Sequence, residues 1–519
     1  MSKLFKMFTA TILVLVLSFS LFSCDGNGEI SLNSVENAYG EKIEQLIESL
    51  DGGVTTHYDA DDVRIEANLG VELSAALLEM IESYTEYDFS WVNDAKINLT
   101  ENIKNNIISM SLDLGYDKTD IVTAEFIMDI LGGDMFMSIP TLSDKFIKEE
   151  GEIDTASLEL MENMKNLIPD GELLGDVLKE CFSTMLAGVT QFSYTEAELD
   201  VIGVKQSCVA CEVKMSQSEL VGALANVLEM LAVSEDFKAL VFDFVTEYGK
   251  LAGDIGTENM GGALGATPEQ IYEYIKYEIS SMSQQLKLAV ISGLLSNDTA
   301  LVWTSYLTDD IDLIGMEMDI SLEGETATVY IASAENGNDK GFDAYVASGN
   351  AKLFEICGVT TDDGKKLSGS YELLINGQSM LFIDLADVDS KELDKKGVFV
   401  GSVTVSPSKG LIDMLGEYVG NDSSAVGLLL SNLSIKFDVL KNNEEKLEAE
   451  MSIISGRVPY ATVSIDAKFS KGKDVKLPSD ALDDIEEWYE DIDFDKFIKN
   501  INKSGLPEYV IELIMSEMD

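Results

Sequence analysis

Residues 94–140 read DAKINLTENIKNNIISMSLDLGYDKTDIVTAEFIMDILGGDMFMSIP. Apolar and polar residues alternate along most of this stretch, and the alternation is clearest at Ala95, Ile97, Leu99, Ile108, Met110, Leu112 and Leu114. Strict alternation is typical of a half-buried β-strand, because successive side chains point to opposite faces of a sheet. Turn-forming pairs separate the runs: Asn105 and Asn106, Asp117 and Lys118, Gly132 and Gly133. The stretch therefore predicts an antiparallel meander.

Helical patterns flank this meander on both sides. Apolar residues recur at helical spacing in the segments 35–50, 75–81, 158–185 and 220–231. Ser218 is the expected N-cap of the last of these helices, and Thr267-Pro268-Glu269-Gln270 predicts another helix start with a capping box. Strand patterns then resume up to Phe469, before an acidic helical tail. We predict an α+β fold in which long, curved antiparallel sheets pack on amphipathic helices.

The first 24 residues have the three parts of a secretory signal peptide. Lys3 and Lys6 give a positive start, and an uncharged, largely apolar run of about 16 residues follows, shorter than the roughly 20 that span a bilayer. The run ends in Leu21-Phe22-Ser23-Cys24, which resembles the lipobox of bacterial lipoproteins. The resemblance implies cleavage before Cys24, a lipid on its thiol, and anchoring to the extracytoplasmic face of the bacterial cell membrane. The alternatives are an uncleaved anchor helix and an ordinary signal peptide with a chance cysteine.

These patterns divide the chain into five segments. We predict a signal peptide at 1–23, a lipidated tether at 24–30, an N-terminal α+β domain at 31–252, a glycine-rich linker at 253–266, and a C-terminal α+β domain with an acidic helical tail at 267–519. The order helix, meander, helix occurs in both domains. Two similar halves are therefore expected, although residue identity does not establish a repeat.

The charge of the chain restricts its partners. With 93 acidic and 36 basic residues, the net charge is −57 at pH 7. Such a surface repels nucleic acid and attracts cations, so we expect no nucleic-acid partner and consider a cationic partner in the cell envelope. Only two arginines are present, Arg64 and Arg457, so bidentate clamps for phosphate or carboxylate are scarce.

The residues used by common hydrolases are scarce. His57 is the single histidine, and it lies in the polar stretch Thr55 to Asp62, which is typical of a loop. No Gly-x-Ser-x-Gly motif accompanies it, and a zinc site with several histidines is impossible within one chain. We expect a protein that is not an enzyme, with no catalytic residue, no metal and no cofactor.

Four cysteines follow Cys24: Cys181, Cys208, Cys211 and Cys357. Cys208 and Cys211 form a Cys-x-x-Cys sequence within a predicted strand, where positions three apart point to opposite faces. A redox motif would need a helix N-terminus, and zinc would need a second pair of cysteines. We interpret both as buried strand residues. A disulfide to Cys181 is the alternative that an extracytoplasmic location leaves open.

The acidic tail offers one candidate metal site. Asp491, Asp493 and Asp495 have the opening spacing of an EF-hand loop. Lys496 stands where the loop needs glycine, and Asn502 stands where it needs a bidentate glutamate. We interpret these carboxylates as solvated helix faces. The 21 methionines, among them Met128, Met135, Met137, Met316 and Met318, suit either an ordinary core or an adaptable lining for a lipid.

Two segments carry a resemblance to known families. The segment LGGDMFMSIPTLSDKF (131–146) resembles a strand followed by a "proline, then leucine" step in large uncharacterised surface lipoproteins of low-GC Gram-positive bacteria. The hairpin from ELDVIGVKQS (198–207) through Lys214, with the helix that follows, is similar to a second segment of those proteins. At fold level, the pattern of a curved sheet over helices is similar to LolA-type and mycobacterial lipid-carrying lipoproteins. These families imply no catalytic residues.

The sequence favours one function and leaves a second open. The first is a lipid-anchored, extracytoplasmic binding protein that holds a lipid or another hydrophobic ligand and meets the membrane through the lipid on Cys24. The alternative is a structural or interaction protein of the cell envelope that meets its partners through its acidic surface.

Overall fold

The computed structural model describes residues 31–52, 62–117, 119–150, 171–254, 267–293, 295–322, 324–396, 398–419, 432–456 and 458–516. Its helices are α1 (Leu32–Gly52), α2 (Ala75–Thr85), α3 (Gly171–Leu186), α4 (Gln217–Leu231), α5 (Glu235–Asp254), α6 (Pro268–Ile291), α7 (Ser390–Lys396), α8 (Lys409–Val419), α9 (Ile485–Glu490), α10 (Phe494–Ser504) and α11 (Glu508–Ser516). A short 3-10 helix spans Ser90–Asp94.

Strands are the more abundant elements in these residues. They are β1 (Asp62–Leu73), β2 (Ala95–Lys104), β3 (Ile107–Tyr116), β4 (Thr119–Asp129), β5 (Asp134–Ser138), β6 (Ile147–Glu150), β7 (Gln191–Val201), β8 (Val204–Ser216), β9 (Thr299–Leu307), β10 (Leu313–Leu322), β11 (Glu325–Asn336), β12 (Asp339–Ser348), β13 (Ala351–Asp362), β14 (Lys366–Ile375), β15 (Gln378–Asp389), β16 (Gly401–Pro407), β17 (Leu433–Asn443), β18 (Lys446–Ser455) and β19 (Val458–Lys471). Long antiparallel strands together with helices confirm the predicted α+β class.

The described residues form two compact units. The first comprises the residues up to 52, those from 171 to 364, and 369–381. The second comprises those from 62 to 150, 365–368, and those from 382 onward. The units differ from the predicted domains 31–252 and 267–519, because β8 pairs with β9 across the predicted linker and α4 packs on α6. Local patterns identify strands and helices, but they carry no signal for which strands pair over long distances.

In the first unit, an antiparallel sheet in the order β7-β8-β9-β10-β11-β12-β13 packs on helices. Its core joins one sheet face to α1, α3 and α4, and its buried side chains include Tyr39, Leu186, Met215, Leu220, Leu301, Trp303 and Met318. On the other face, the β7–β8 hairpin packs against β11, where Val201 and Cys208 meet Ala332 and Ala334. The sheet curls strongly here, since a Cβ at Gly341 of β12 would lie 2.3 Å from the carbonyl oxygen of Val201.

In the second unit, the strand order is β6-β5-β4-β3-β2-β1-β19-β18-β17-β16, again antiparallel. The pairing of β1 with β19 joins segments about 400 residues apart, with Ala67 opposite Ala467. Helix α10 contacts β4, α2 contacts β19, and α8 contacts β16. The three C-terminal helices confirm the expected helical tail.

The N-cap of α4 differs from the predicted one. Ser216, not Ser218, precedes the helix; its hydroxyl accepts a hydrogen bond from the Glu219 backbone N–H at 3.3 Å, and the Glu219 carboxylate accepts one from the Ser216 N–H at 2.7 Å. Ser216 has a glutamate three residues later, whereas Ser218 has Val221 there, so the capping-box spacing identifies the right serine. The box predicted for α6 is confirmed, with Thr267 as the cap and Gln270 as its partner.

We expect Ser216→Ala to destabilise the first unit by about 1 kcal/mol, because it leaves an N-terminal N–H of α4 without its partner. Urea unfolding followed by circular dichroism measures this loss. Ser218→Ala is the matched control and should change stability by less than about 0.5 kcal/mol. Equal losses for the two variants would contradict the assignment of Ser216 as the cap.

Candidate functional site

The second unit carries a sheet face made of apolar side chains. Residues directly opposite each other in antiparallel strands point to the same face, so the register assigns them to rows. One row crosses five strands and contains Val403, Phe437, Met451, Val463 and Val71. Another crosses eight strands and contains Gly401, Val439, Ala449, Ile465, Leu69, Ile97, Leu114 and Val122. We call this surface, from β16 to β5, the apolar face.

The apolar face is the more exposed side of several strands. On β18, Met451 and Ile453 are each 42% exposed, whereas Ser452 between them is 7% exposed. Ile435 and Phe437 on β17 and Val463 on β19 are exposed in the same way. Antiparallel sheets with one solvated face usually turn their polar residues to water. Here the order is reversed, so a large apolar surface meets solvent.

Several polar groups on the opposite face of these strands bond to one another. Ser406 and Ser434 share a hydrogen bond of 2.8 Å between their hydroxyls, and Ser452 and Thr462 share one of 2.9 Å. Ser402 donates a hydrogen bond to the Asp438 carboxylate. Because these side chains bond to one another across strands, the polar face does not need full solvation.

One pair of small side chains lies in the middle of the apolar face, where β1 meets β19. Ala67 and Ala467, opposite each other on β1 and β19, are buried. Larger, exposed side chains lie on both sides: Phe437 on β17 and Leu112 on β3. The pair has Leu99 of β2 on one side and Leu447 of β18 on the other, so larger apolar side chains flank it within its row.

On the β3 to β5 side, the two sheet faces differ sharply in burial. On β5, Met137 of the apolar face is 48% exposed, while Phe136 on the opposite face is 3% exposed. Met110, Leu112 and Leu114 of β3 are exposed on the apolar face as well. On β3 to β5, the rest of the protein therefore covers the sheet face opposite the apolar face.

The charged groups of the second unit lie mainly away from these rows. In the two rows given above, every residue is uncharged. Arg64 of β1 points to the opposite face, because it alternates with Val63 and Ile65, and its guanidinium pairs with Glu66 at 2.7 Å. Glu101, opposite Ile65 and Met110, and Lys471, opposite Val63, bring one carboxylate and one ammonium group to the end of the face. A ligand on the two rows themselves would meet hydrocarbon.

The first unit contains a separate cluster of tyrosines and carboxylates. Tyr330 and Tyr345 stack with 4.8 Å between their ring centroids, and Lys352 Nζ lies 4.0 Å from the centroid of Tyr345. Lys352 also pairs with Glu355 at 2.6 Å and with Asp343 at 3.8 Å. Among the described residues, no group of three or more histidines, cysteines or carboxylates is arranged to hold a metal. The cluster reads as a packed ion-pair network.

Asp343 gives this cluster a pH dependence. Burial raises the pKa of Asp343 to about 6. The positive charge of Lys352 lowers this pKa, and the negative charge of Glu355 raises it. The unfolded value is about 3.9, so between these values the folded state holds a proton that the unfolded chain has lost. This contribution to stability is present below pH about 4 and is lost as the pH rises through about 6.

We expect Asp343→Asn to flatten the decrease in stability between pH 4 and pH 6, because asparagine has no charge to desolvate. Urea midpoints of the two proteins at several pH values give the difference directly. Asp339→Asn, on the exposed end of the same strand, serves as the control and should keep the original pH slope. An unchanged slope for Asp343→Asn would show that the burial of this carboxyl has no such effect.

The structure accounts for several residues singled out by the sequence. Cys208 packs in the cluster that contains Val201, whereas Cys211 packs in the core that contains Trp303. The two cysteines therefore point to opposite faces of β8, as predicted. Both are free thiols, as are Cys181 and Cys357, so the alternative disulfide to Cys181 is absent from the described residues. Burial raises the pKa of the Cys211 thiol to about 11, which leaves it unreactive. Cys24 and His57 lie outside the described residues.

The carboxylates of the tail have structural partners. Asp491 accepts a hydrogen bond from the Ser143 hydroxyl at 2.8 Å and pairs with Lys145 at 3.3 Å. Asp493 caps α10 by accepting the Lys496 N–H at 2.8 Å. The methionines divide between buried and exposed positions. Met316 and Met318 are buried in the core, whereas Met110, Met137 and Met451 are exposed on the apolar face.

The alternation of apolar and polar residues predicts the strands of this face, but it does not predict that the apolar side chains meet water. Comparison with known proteins adds nothing to its interpretation, because no protein-family model and no curated protein matches this sequence. Among the described residues, no helix is both long and apolar enough to cross a bilayer.

Proposed function

We propose that this protein is a lipid-anchored, extracytoplasmic binding protein, without enzymatic activity, that holds a lipid or another hydrophobic ligand on the apolar face. The observation that carries the proposal is the reversed exposure on β17 to β19, where apolar side chains meet water and polar ones are covered. Monomeric proteins rarely expose contiguous apolar surface of this extent unless it binds something.

The energetics favour an elongated hydrocarbon as the ligand. Each methylene group removed from water contributes about 0.8 kcal/mol, so a ten-carbon stretch gains roughly 8 kcal/mol before the entropic cost of binding. Met110, Met137 and Met451 are exposed on the apolar face, and their flexible side chains adapt to irregular chains. An acyl chain laid across the strands would cover the exposed side chains on both sides.

The proposed lipid anchor gives the binding activity a location. A lipid on Cys24 would hold the chain at the outer face of the cell membrane, next to a source of acyl chains. Under the alternative function, a structural or interaction protein of the cell envelope, the acidic surface would make the contacts and the apolar face would carry no lipid.

Lipid extraction tests the proposal directly. The chain from residue 25 onward, made without the lipidated cysteine, is produced in bacteria, purified, extracted with organic solvent and compared by mass spectrometry with an unrelated acidic protein. We expect about one lipid per protein, and uptake of a fluorescent acyl lipid from neutral vesicles by emptied protein. No extracted lipid together with no uptake would refute the function and favour the alternative.

A further inference from the structure

A second apolar surface lies at the C-terminal helices, apart from the apolar face. The loop after β5 and the helices α9, α10 and α11 enclose a groove of about 620 Å³. Its lining is entirely apolar and includes Ile139, Leu142, Trp488, Tyr489, Phe494 and Leu513. We call it the C-terminal groove. Its volume is in the range of roughly 300–1,000 Å³ that is typical of binding sites.

The groove has a fixed floor. Trp488 is buried, and its indole N–H donates a hydrogen bond to the Lys145 carbonyl oxygen at 3.3 Å. The backbone N–H of Asp493 donates to the Leu142 carbonyl oxygen at 2.8 Å, and that of Leu482 donates to the Phe146 carbonyl oxygen at 2.8 Å. These bonds tie the helices to the loop, so the groove exists before any partner arrives.

The rim of the groove exposes large apolar side chains. Tyr489 is 61% exposed and Leu513 is 62% exposed, on helices from opposite ends of the tail, and Phe494 is exposed between them. Side chains of this size at a groove entrance are typical anchors for a partner, because their burial yields most of the binding free energy.

The surroundings of the groove are strongly acidic. Residues 480–516 contain eleven carboxylates and three lysines. Of these lysines, Lys496 pairs with Asp144 at 3.0 Å. Glu486, Glu487 and Glu490 are exposed on α9, next to Trp488 and Tyr489 of the groove. A partner therefore needs an apolar face and positive charge at its edges.

We propose that the C-terminal groove binds a basic amphipathic helix of another protein. Such a helix places apolar side chains at spacings of three and four residues into a groove, and its lysines or arginines lie at the flanks, where the carboxylates are. A second copy of this chain fits poorly because each copy carries the same charge of −57. An anionic membrane surface is repelled for the same reason. The inference does not depend on the function proposed for the apolar face.

The test measures binding of a synthetic helix of about 18 residues, five turns long, with leucines on one face and lysines on the other. We expect isothermal titration calorimetry to give a micromolar dissociation constant that weakens about tenfold between 0.05 M and 0.5 M salt. A peptide of the same composition in scrambled order keeps the charge but has no apolar face. It should bind at least tenfold more weakly.

Matched variants separate the groove from general attraction to an acidic protein. Tyr489→Ser with Leu513→Ser should weaken binding at least tenfold. Tyr274→Ser with Leu288→Ser, which removes side chains that are each 66% exposed on α6, should leave it unchanged. Glu486→Gln, Glu487→Gln and Glu490→Gln together should reduce both affinity and salt dependence. All four altered apolar side chains lie mostly in solvent, so circular dichroism should report native folding in both double variants.

Two outcomes would overturn the proposal: equal binding of the scrambled peptide, or equal binding by the Tyr489 and Leu513 double variant. Uptake of neutral acyl lipid by the groove, lost in that variant while the helical peptide fails to bind, would assign the groove to lipid instead. The apolar face remains intact in these variants, so its lipid can be assayed in the same samples and the two proposals fail separately.

Discussion

Trp303→Ala is expected to lower the free energy of unfolding of the first unit by about 4 kcal/mol. The indole is buried where β9 meets α1 and α3, and it makes edge contacts with Tyr39 at 5.2 Å and Phe182 at 5.1 Å between ring centroids. Large-to-small changes at such sites cost about 3–5 kcal/mol, because they lose apolar burial and leave a cavity. Aromatic pairs add about 0.5–1.5 kcal/mol beyond burial.

The hydrogen bonds of this cluster add to the expected loss. The Trp303 indole N–H donates to the Tyr39 hydroxyl at 3.0 Å, and that hydroxyl shares a 3.2 Å bond with Ser305. Complete burial raises the pKa of Tyr39, so its hydroxyl stays protonated and can donate to Ser305. Without the indole, one acceptor position on a buried oxygen loses its partner, at a cost of about 1 kcal/mol.

Urea unfolding followed by circular dichroism measures this loss. Trp303→Phe is the matched variant: it keeps a ring in the core but removes the N–H, and we expect it to lose about half as much. If Trp303→Ala lowered the free energy of unfolding by less than about 1 kcal/mol, the packing of α1 and α3 on this sheet would not depend on the cluster of Trp303, Tyr39 and Phe182.

Periodicity made the strands predictable, because alternation depends only on neighbouring residues. The alternation is weaker on β13, where Lys352 and Glu355 interrupt the apolar positions. The structure explains their presence: Lys352 pairs with Glu355 and with Asp343 of the adjacent strand. An ion pair between strands can place charges in a sheet, but sequence alone cannot identify its partner.

The candidate site was less predictable than the strands that form it. Alternation on β18 assigns Met451 and Ile453 to one face and Ser452 to the other, but not which face meets water. The usual expectation, that apolar residues lie inside, gives the wrong answer at these positions. The apolar face also needs the pairing of β1 with β19, which brings Leu69 next to Ile465. No local pattern encodes that pairing.

Serine at three neighbouring positions of the apolar face is expected to weaken lipid binding about a hundredfold. The triple variant is Phe437→Ser, Met451→Ser and Val463→Ser, which lie directly opposite one another on β17, β18 and β19. Each side chain is about two-fifths exposed. Covering the exposed part contributes roughly 1 kcal/mol per residue, from about 1.5–3 kcal/mol for complete burial. The summed loss of about 3 kcal/mol corresponds to two powers of ten in the dissociation constant.

The same substitutions should lower the free energy of unfolding by a few kcal/mol without unfolding the protein, because about three-fifths of each side chain is covered in the folded state. The measurement is transfer of a fluorescent acyl lipid from neutral vesicles, with the urea midpoint of each protein determined in parallel. The matched control replaces Tyr274, Tyr277 and Leu288 of α6 with serine, which removes exposed apolar side chains of the first unit. Its lipid uptake should equal that of the original protein. Normal uptake by the face variant would refute the proposed site. Unfolding of the face variant would instead mean that the fold depends on these side chains, because a face that binds ligand from water must be open before the ligand arrives.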